Sequence, residues 1–165
     1  MACLGVHFAL TDDELNTLIE FSDEQKRLDH LKEVIEEELL ETQRAVETEH
    51  AWDGLHRSLT DGNFEWENGT FPLNAVILHG EPLHFKDDYI MSLKRKQFVP
   101  DIAEALALVT PDDLRSGYAK IDTDTCPWPT SEEDLEYTLD FLQPLQQFWT
   151  YAASEGLHCL FTADQ

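Results

Sequence analysis

The sequence predicts a single α+β domain in which a small sheet packs against several helices. Three short stretches have the pattern of strands, one at each end of the chain and one in its middle. The segments between them carry apolar residues at helical spacing, and no linker or internal repeat is visible. With 165 residues, 42% of them apolar, the chain is long enough to bury a core as one domain over residues 1–165.

The N-terminal part is predicted to form one strand and then helices. Residues 3–10 alternate loosely and fit a strand. Thr11, with Glu14 three residues later, has the capping-box spacing of a helix start. Ser22 is predicted to cap a second, long helix, because apolar residues recur near the 3.6-residue period as far as residue 47.

The C-terminal part is predicted to contain helices and two further strands. The segment PLNAVILHGEP, residues 72–82, fits a short helix or a buried strand, and we favour the helix. Residues 88–98 have a strand pattern, and two helices with proline in their first turns follow. A last long helix over 131–156, kinked at Pro144, leads to a closing strand beside the first.

The charge is strongly negative. With 34 acidic and 11 basic residues, the formal net charge is −23. Residues 11–49 hold 14 acidic and 4 basic residues, and residues 101–140 hold 11 acidic and 2 basic. Such a chain repels phosphate, so direct binding to nucleic acid or to an anionic membrane is disfavoured. The acidity indicates either a cationic partner or a role in solubility alone.

The N-terminus and the cysteines predict a cytoplasmic protein. The first residues lack the basic region of a signal peptide and reach acidic residues within a dozen positions. The three cysteines, Cys3, Cys126 and Cys159, are widely spaced and form no CxxC pair, which favours reduced thiols over a disulfide framework.

The most distinctive segment is AWDGLHRSLTDG, residues 51–62. On a helix, Asp53 and His56 are three residues apart and could form a hydrogen bond of the kind that orients a general base. Trp52, Leu55 and Leu59 would also form the apolar face of a buried helix. We favour the structural interpretation and keep an enzyme using His56 with Asp53 as an alternative.

Other catalytic or metal-binding patterns are weak. His79 and His84 are near two aspartates, but Gly80 and Pro82 would break a helix that holds both imidazoles on one face. Cys126 precedes a proline in a loop and is a candidate reactive thiol. The chain shows neither a nucleophile elbow nor a phosphate loop. We therefore predict no metal, no cofactor and no catalytic residue.

Three parts of the chain are distinctive when taken together: the order CLGVHFALTDDELNTLI, a Trp-x-x-Leu-His helix before a Leu-Thr-x-Gly turn, and the segment VPDIAEALALVTPDDLRSGY. They resemble motifs of the YfbM-like family of small bacterial proteins, a domain of unknown function. The resemblance covers nearly the whole chain and implies a compact α+β fold without an agreed reaction. The residues that match are Gly5, Trp52, Leu55, His56 and Gly62, with Leu73, Ala75 and Gly80 matching loosely.

The predicted function is that of an acidic binding protein, most concretely an immunity protein that occludes a cationic bacterial toxin such as a nuclease. A toxin that acts on nucleic acid is basic, so acidic side chains can compete for its surface. Aromatic residues next to acids in two loops are candidate anchors, since Trp and Tyr dominate interface energetics. The candidate partner-binding residues are Phe64, Glu65, Trp66, Glu67, Asp122, Asp124 and Trp128.

Overall fold

A computed structural model describes residues 3–165, which form a five-stranded antiparallel sheet with helices on both faces. The strands are β1 (Gly5–Leu10), β2 (Ala45–Glu49), β3 (Glu81–Pro82), β4 (Tyr89–Lys94) and β5 (His158–Asp164). Their order across the sheet is β2-β1-β5-β4-β3. The last strand of the chain therefore lies at the centre of the sheet, between β1 and β4.

In the described part of the chain, eight α-helical segments surround the sheet. They are α1 (Asp12–Glu20), α2 (Glu24–His30), α3 (Glu36–Leu39), α4 (Trp52–Leu59), α5 (Val99–Ala107), α6 (Pro111–Tyr118), α7 (Glu132–Leu139) and α8 (Leu142–Ser154). A π-helical turn, Leu31–Ile35, joins α2 to α3, and a 3-10 turn covers Leu73–Ala75. Within residues 3–165, no helix has both the length and the apolar character needed to cross a membrane.

Alternating side chains of the strands divide the core between the two faces of the sheet. Phe8, Leu160 and Met91 pack under α1, α2 and α3. On the other face, Ala9 and Phe161 pack under α4, α5 and α8. The α+β class is the one that the sequence predicted. The structure adds that the domain has three layers, because successive residues of a strand point to opposite faces and both faces of this sheet are covered by helices.

The first helix boundary is confirmed, and the second is corrected by one residue. The Thr11 hydroxyl accepts the Glu14 N–H while the Glu14 side chain accepts the Thr11 N–H, which is the predicted capping box. The cap of α2 is Asp23 rather than Ser22, since the Asp23 carboxylate accepts the N–H groups of Gln25 and Lys26. A carboxylate there also interacts favourably with the positive end of the helix dipole.

The predicted long second helix is wrong beyond Leu39. The chain turns after α3, and residues that we assigned to the helix form the edge strand β2. Val46 and Thr48 are β-branched residues at alternate positions, a pattern that fits a strand as well as a helix over so short a distance. Pairing with β1 decides between them, because it satisfies backbone groups that a helix end would leave free.

The predicted last long helix is two helices. Ser131 caps α7, so the predicted helix begins where expected, but it breaks at Asp140 and Phe141, and α8 starts at Leu142. Pro144 therefore lies in the first turn of α8, where its missing N–H is not needed. Its ring would clash with the carbonyl of residue 140 in a continuous helix, which is why the break precedes the proline instead of forming a kink at it.

The segment 72–82 contains only the 3-10 turn and β3, not the helix that we favoured. Its buried carbonyls are bound by side chains of the sheet instead. His7 Nε2 donates to the carbonyl of Val76 at 2.7 Å, Lys94 Nζ donates to Ile77, and the Ser92 hydroxyl donates to Leu78 at 2.6 Å. Burial lowers the pKa of Lys94 to about 7 and that of His7 to about 3.

We expect stability to fall by about 2 kcal/mol between pH 7 and pH 5 because of His7. The ring is fully buried and its pKa of about 3 lies below the ordinary 6.5. The unfolded chain therefore binds a proton that the folded chain does not, and stability is lost as the pH falls through 6.5 towards 3. Urea unfolding at the two pH values measures this difference.

The variant His7→Gln is the control, since its amide keeps a donor for the Val76 carbonyl and does not titrate near neutral pH. In this variant the pH dependence shrinks to the part contributed by other groups, among them His56 and Lys94, whose pKa values burial also lowers. An unchanged pH dependence in the variant would contradict the assignment to His7.

Candidate functional site

A cleft of about 560 Å³ opens where the start of β1 and the end of β5 meet α4, α7 and the loop before α7. This volume is within the range of ligand sites in proteins. Its walls are the aromatic side chains of Trp52, Phe64, Trp128 and Tyr137, and its carboxylates are Asp53 and Asp134. The cleft is therefore mostly apolar, with two acidic side chains and with the basic side chains of Arg57 and His50 also in its lining.

Arg57 lines one side of this cleft, but its positive charge is already paired with an acidic side chain of the protein. Its side chain is only 2% exposed, and its Nε donates to Asp53 Oδ1 at 2.7 Å. The remaining guanidinium nitrogens donate to the backbone carbonyl of Gly62 and to the hydroxyl and carbonyl of Thr125. The guanidinium thus holds the loop around Thr125 against α4.

In each of the two carboxylates of the cleft, one oxygen accepts hydrogen bonds from other side chains. The second oxygen has no hydrogen-bond donor among the described residues. Asp134 Oδ2 accepts hydrogen bonds from the indole N–H of Trp128, at 2.9 Å, and from the Tyr118 hydroxyl. Asp53 Oδ1 accepts from Arg57. Neither of these two unbonded oxygens is fully buried, so both are in contact with solvent. Burial raises the pKa of Asp53, despite the hydrogen bond from Arg57.

The residues that carry the family resemblance form the packing around α4. Trp52 is 5% exposed, Leu55 is fully buried, and the Trp52 indole donates to the carbonyl of Cys3 at 2.8 Å. A Cβ on Gly5 would lie 2.8 Å from the Trp52 ring, so only glycine allows this approach. Gly62 has a φ of 91°, in the left-handed region, and closes the turn as predicted.

The structure corrects the possible pairing of Asp53 with His56. His56 is fully buried and outside the cleft, and its Nε2 lies 2.7 Å from Asn68 Oδ1, whereas Asp53 bonds to Arg57. The amide nitrogen of Asn68 donates to Asp61, so its oxygen faces the ring and Nε2 carries the proton. His56 therefore binds the loop that follows α4.

The two loops predicted to bind a partner lie side by side, since the Asp122 N–H donates to the carbonyl of Gly62 at 3.1 Å. Phe64 and Trp128, one from each loop, both line the cleft, with the Arg57 guanidinium 5.6 Å from the centre of either ring. Trp66 instead packs on the core and donates to the carbonyl of Gly80. The acidic residues around these aromatics are Glu65, Glu67 and Asp124, which are exposed, and Asp122, which is partly exposed.

Cys126 does not have the properties of a reactive thiol. It is partly buried, its Sγ donates to the carbonyl of Trp128 at 3.2 Å, and burial raises its pKa. A thiol with a raised pKa has little thiolate near neutral pH. Over residues 3–165, no three His, Cys, Asp or Glu side chains are grouped so that they could hold a metal ion.

Sequence reasoning missed Arg57, Asp134 and Tyr137. The four-residue spacing of Asp53 and Arg57 on one helix was a usable signal, since such pairs lie on the same face. The cleft residues of α7 had no comparable signal. They are distant in sequence from α4, and acidic residues near a helix N-terminus are ordinarily explained by the helix dipole.

The variant Gly54→Ala is expected to stabilise the protein by about 1 kcal/mol. Gly54 is inside α4, where glycine is less favourable than alanine, and the nearest atoms to a new Cβ are Thr138 Oγ1 at 3.5 Å and a ring carbon of Trp128 at 3.6 Å. Both are ordinary contact distances, so the methyl group fits at the wall of the cleft. Thermal unfolding measures the gain in stability. A midpoint temperature below that of the parent protein would show that the added methyl group does not fit between Thr138 and Trp128.

The fold and the cleft define a small acidic α+β protein with an aromatic, carboxylate-containing surface site. The model of the DUF1877 family, a domain of unknown function, matches residues 1–162, and the chain belongs to this family. The crystal structure of YfbM from Escherichia coli, a protein of unknown function, has a TM-score of 0.68, with 18% identity over 97% of this chain and 99% of that chain. This similarity shows the YfbM fold. No curated protein matches.

Proposed function

We propose that this protein is an acidic binding protein that neutralises a basic protein partner, most concretely an immunity protein that occludes a cationic bacterial toxin such as a nuclease. The observation that carries the proposal is the adjacency of the two acidic loops at the aromatic cleft. They are held together by the hydrogen bond from Asp122 to Gly62 and by the contacts of Arg57. A partner could thus meet both loops in one interface.

The charge and the aromatic walls support the proposal in different ways. A net charge of −23 attracts a basic protein over long range and increases the rate of encounter. Phe64 and Trp128 are the kind of large, rigid side chains that supply binding energy at the centre of an interface, where surrounding polar groups exclude water. Together they fit a surface that recognises a positively charged partner.

The test begins by capturing the partner on tagged protein at low salt and eluting it at about 1 M salt, where the Debye length is about 3 Å. Association of the identified partner is then measured with a fourfold charge reversal, in which Glu65, Glu67, Asp122 and Asp124 are changed to lysine. We expect the association rate to fall by about tenfold or more, with a weaker dependence on salt.

The matched control reverses four acids in α3 and in the turns on either side of it, on the opposite face of the sheet. Glu33, Glu37, Glu38 and Glu41 are all exposed, and changing them to lysine alters the net charge by the same amount. If both variants slow association equally, only the net charge matters and the cleft surface is not the interface. If no basic protein is bound at any salt concentration, the inhibitor function is wrong.

A further inference from the structure

We propose that the cleft binds the side chain of an arginine that the partner presents, with the free carboxylate oxygens as acceptors and the aromatic walls as a stacking surface. This inference rests on the proposed function and goes further, because it names the anchoring group and the site that receives it. The occupant is a guanidinium group on a protein chain, and the other possible occupants are outcomes of the test.

The carboxylates supply the first reason. Asp53 Oδ2 and Asp134 Oδ1 have no protein donor among residues 3–165, yet both are in partly buried side chains within the cleft. A partly desolvated carboxylate that lacks donors on one oxygen gains from a charged donor more than an exposed one does. A guanidinium has five N–H donors in a planar arrangement, so it can serve more than one acceptor.

The aromatic walls supply the second reason. Trp52, Phe64, Trp128 and Tyr137 surround the space, and a guanidinium plane stacks on aromatic faces. The protein already uses this contact, since Arg57 lies 5.6 Å from the ring centres of both Phe64 and Trp128. The cleft thus combines the two contacts that favour arginine over a simple ammonium group.

Arg57 does not oppose a second cation strongly. Its side chain is 2% exposed, Asp53 pairs with it, and the carbonyls of Gly62 and Thr125 accept its remaining protons. Asp134 is not paired with any base among the described residues and leaves a net negative charge in the cleft. Nearby Glu49 accepts a hydrogen bond from the Tyr137 hydroxyl at 3.1 Å and adds a further negative charge at this wall.

The experiment uses N-acetyl-L-arginine amide as the probe and N-acetyl-L-citrulline amide as its neutral isostere. Binding to the whole protein is followed by titration in two-dimensional amide NMR. We expect saturable shifts around Gly54 and Thr138 with a dissociation constant on the order of 1 mM. Citrulline amide should bind about tenfold more weakly, because it lacks the charge.

Two variants locate the site, and a third is the control. Asp134→Asn should weaken arginine binding about tenfold, and Gly54→Ala, which is expected to fold at least as well as the parent, should weaken it by narrowing the cleft. Asp140→Asn changes an exposed acid at the end of the same helix, outside the cleft, and should leave binding unchanged. Equal affinity for the two amides, equal effects of Asp134→Asn and Asp140→Asn, or shifts elsewhere would overturn the inference.

The inference and the proposed function can fail separately. If the loop reversals slow a basic partner but arginine amide does not shift the cleft residues, the partner binds without an arginine anchor and only the inference is wrong. If arginine amide binds the cleft and no basic protein is captured, the inhibitor function is wrong and the cleft is a site for a small cationic ligand, which overturns the inference as stated.

Discussion

Replacing Arg57 by methionine is expected to destabilise the protein by about 3–5 kcal/mol. The substitution keeps much of the apolar stem but leaves the Asp53 carboxylate, which is largely buried, without its partner. It also removes one of the two donors to the Gly62 carbonyl and the donors to the hydroxyl and carbonyl of Thr125, so that the loop around Thr125 is no longer bonded to α4 by this side chain. Urea unfolding at neutral pH measures the loss.

Two comparisons test whether the loss comes from the uncompensated charge. Adding Asp53→Leu to Arg57→Met should recover part of the stability, since the remaining buried charge is then gone. The exposed pair of Arg95 with Glu81 has a short distance of 2.6 Å but is more than a third exposed at both partners, so Arg95→Met should cost less than about 1 kcal/mol. A similar loss at both arginines would contradict this explanation.

Replacing Gly117 by alanine is expected to destabilise the protein by about 3 kcal/mol or more. A Cβ at this position of α6 would lie 1.9 Å from the backbone carbonyl oxygen of Ser58 in α4. A backbone atom cannot turn away as a flexible side chain can, so the two helices must separate. That separation also disturbs the contacts by which α4 holds the walls of the cleft.

The variant Gly54→Ala is the internal control for Gly117→Ala, since it makes the same chemical change in a helix where the space exists. Both variants gain helix propensity, so a difference in their unfolding free energies isolates the steric effect. If Gly117→Ala is as stable as Gly54→Ala, the close crossing of α4 and α6 does not constrain the fold.

Local patterns determined most of the fold. The capping pair at Thr11, the strand patterns at both ends and the glycine turn at Gly62 were all readable, because each depends on residues within one or two turns. The predicted continuation of the helix over residues 45–47 was wrong, because so short a segment has too few residues to distinguish a helical period from the alternation of a strand. Only pairing with β1 selects the strand.

The site was only partly predictable. The sequence indicated Phe64 and Trp128 as candidate anchors, but it gave no reason to place them on the same cleft, and it paired Asp53 with His56 instead of Arg57. Residue spacing on a helix shows which pairs of side chains are close enough to interact. It does not show which pair forms, because that depends on the segments that pack over that face of the helix.

The sequence by itself determined the α+β class, the strong negative charge and the two acidic loops with aromatic residues. The tertiary structure alone decided that the last strand is central, that Pro144 begins a new helix, and that α4, α7 and the two loops enclose a cleft. The physical reason is the distance along the chain between the residues that interact. Caps and periodicity arise from neighbours along the chain, whereas the cleft depends on contacts such as that of Arg57 with Thr125, 68 residues apart.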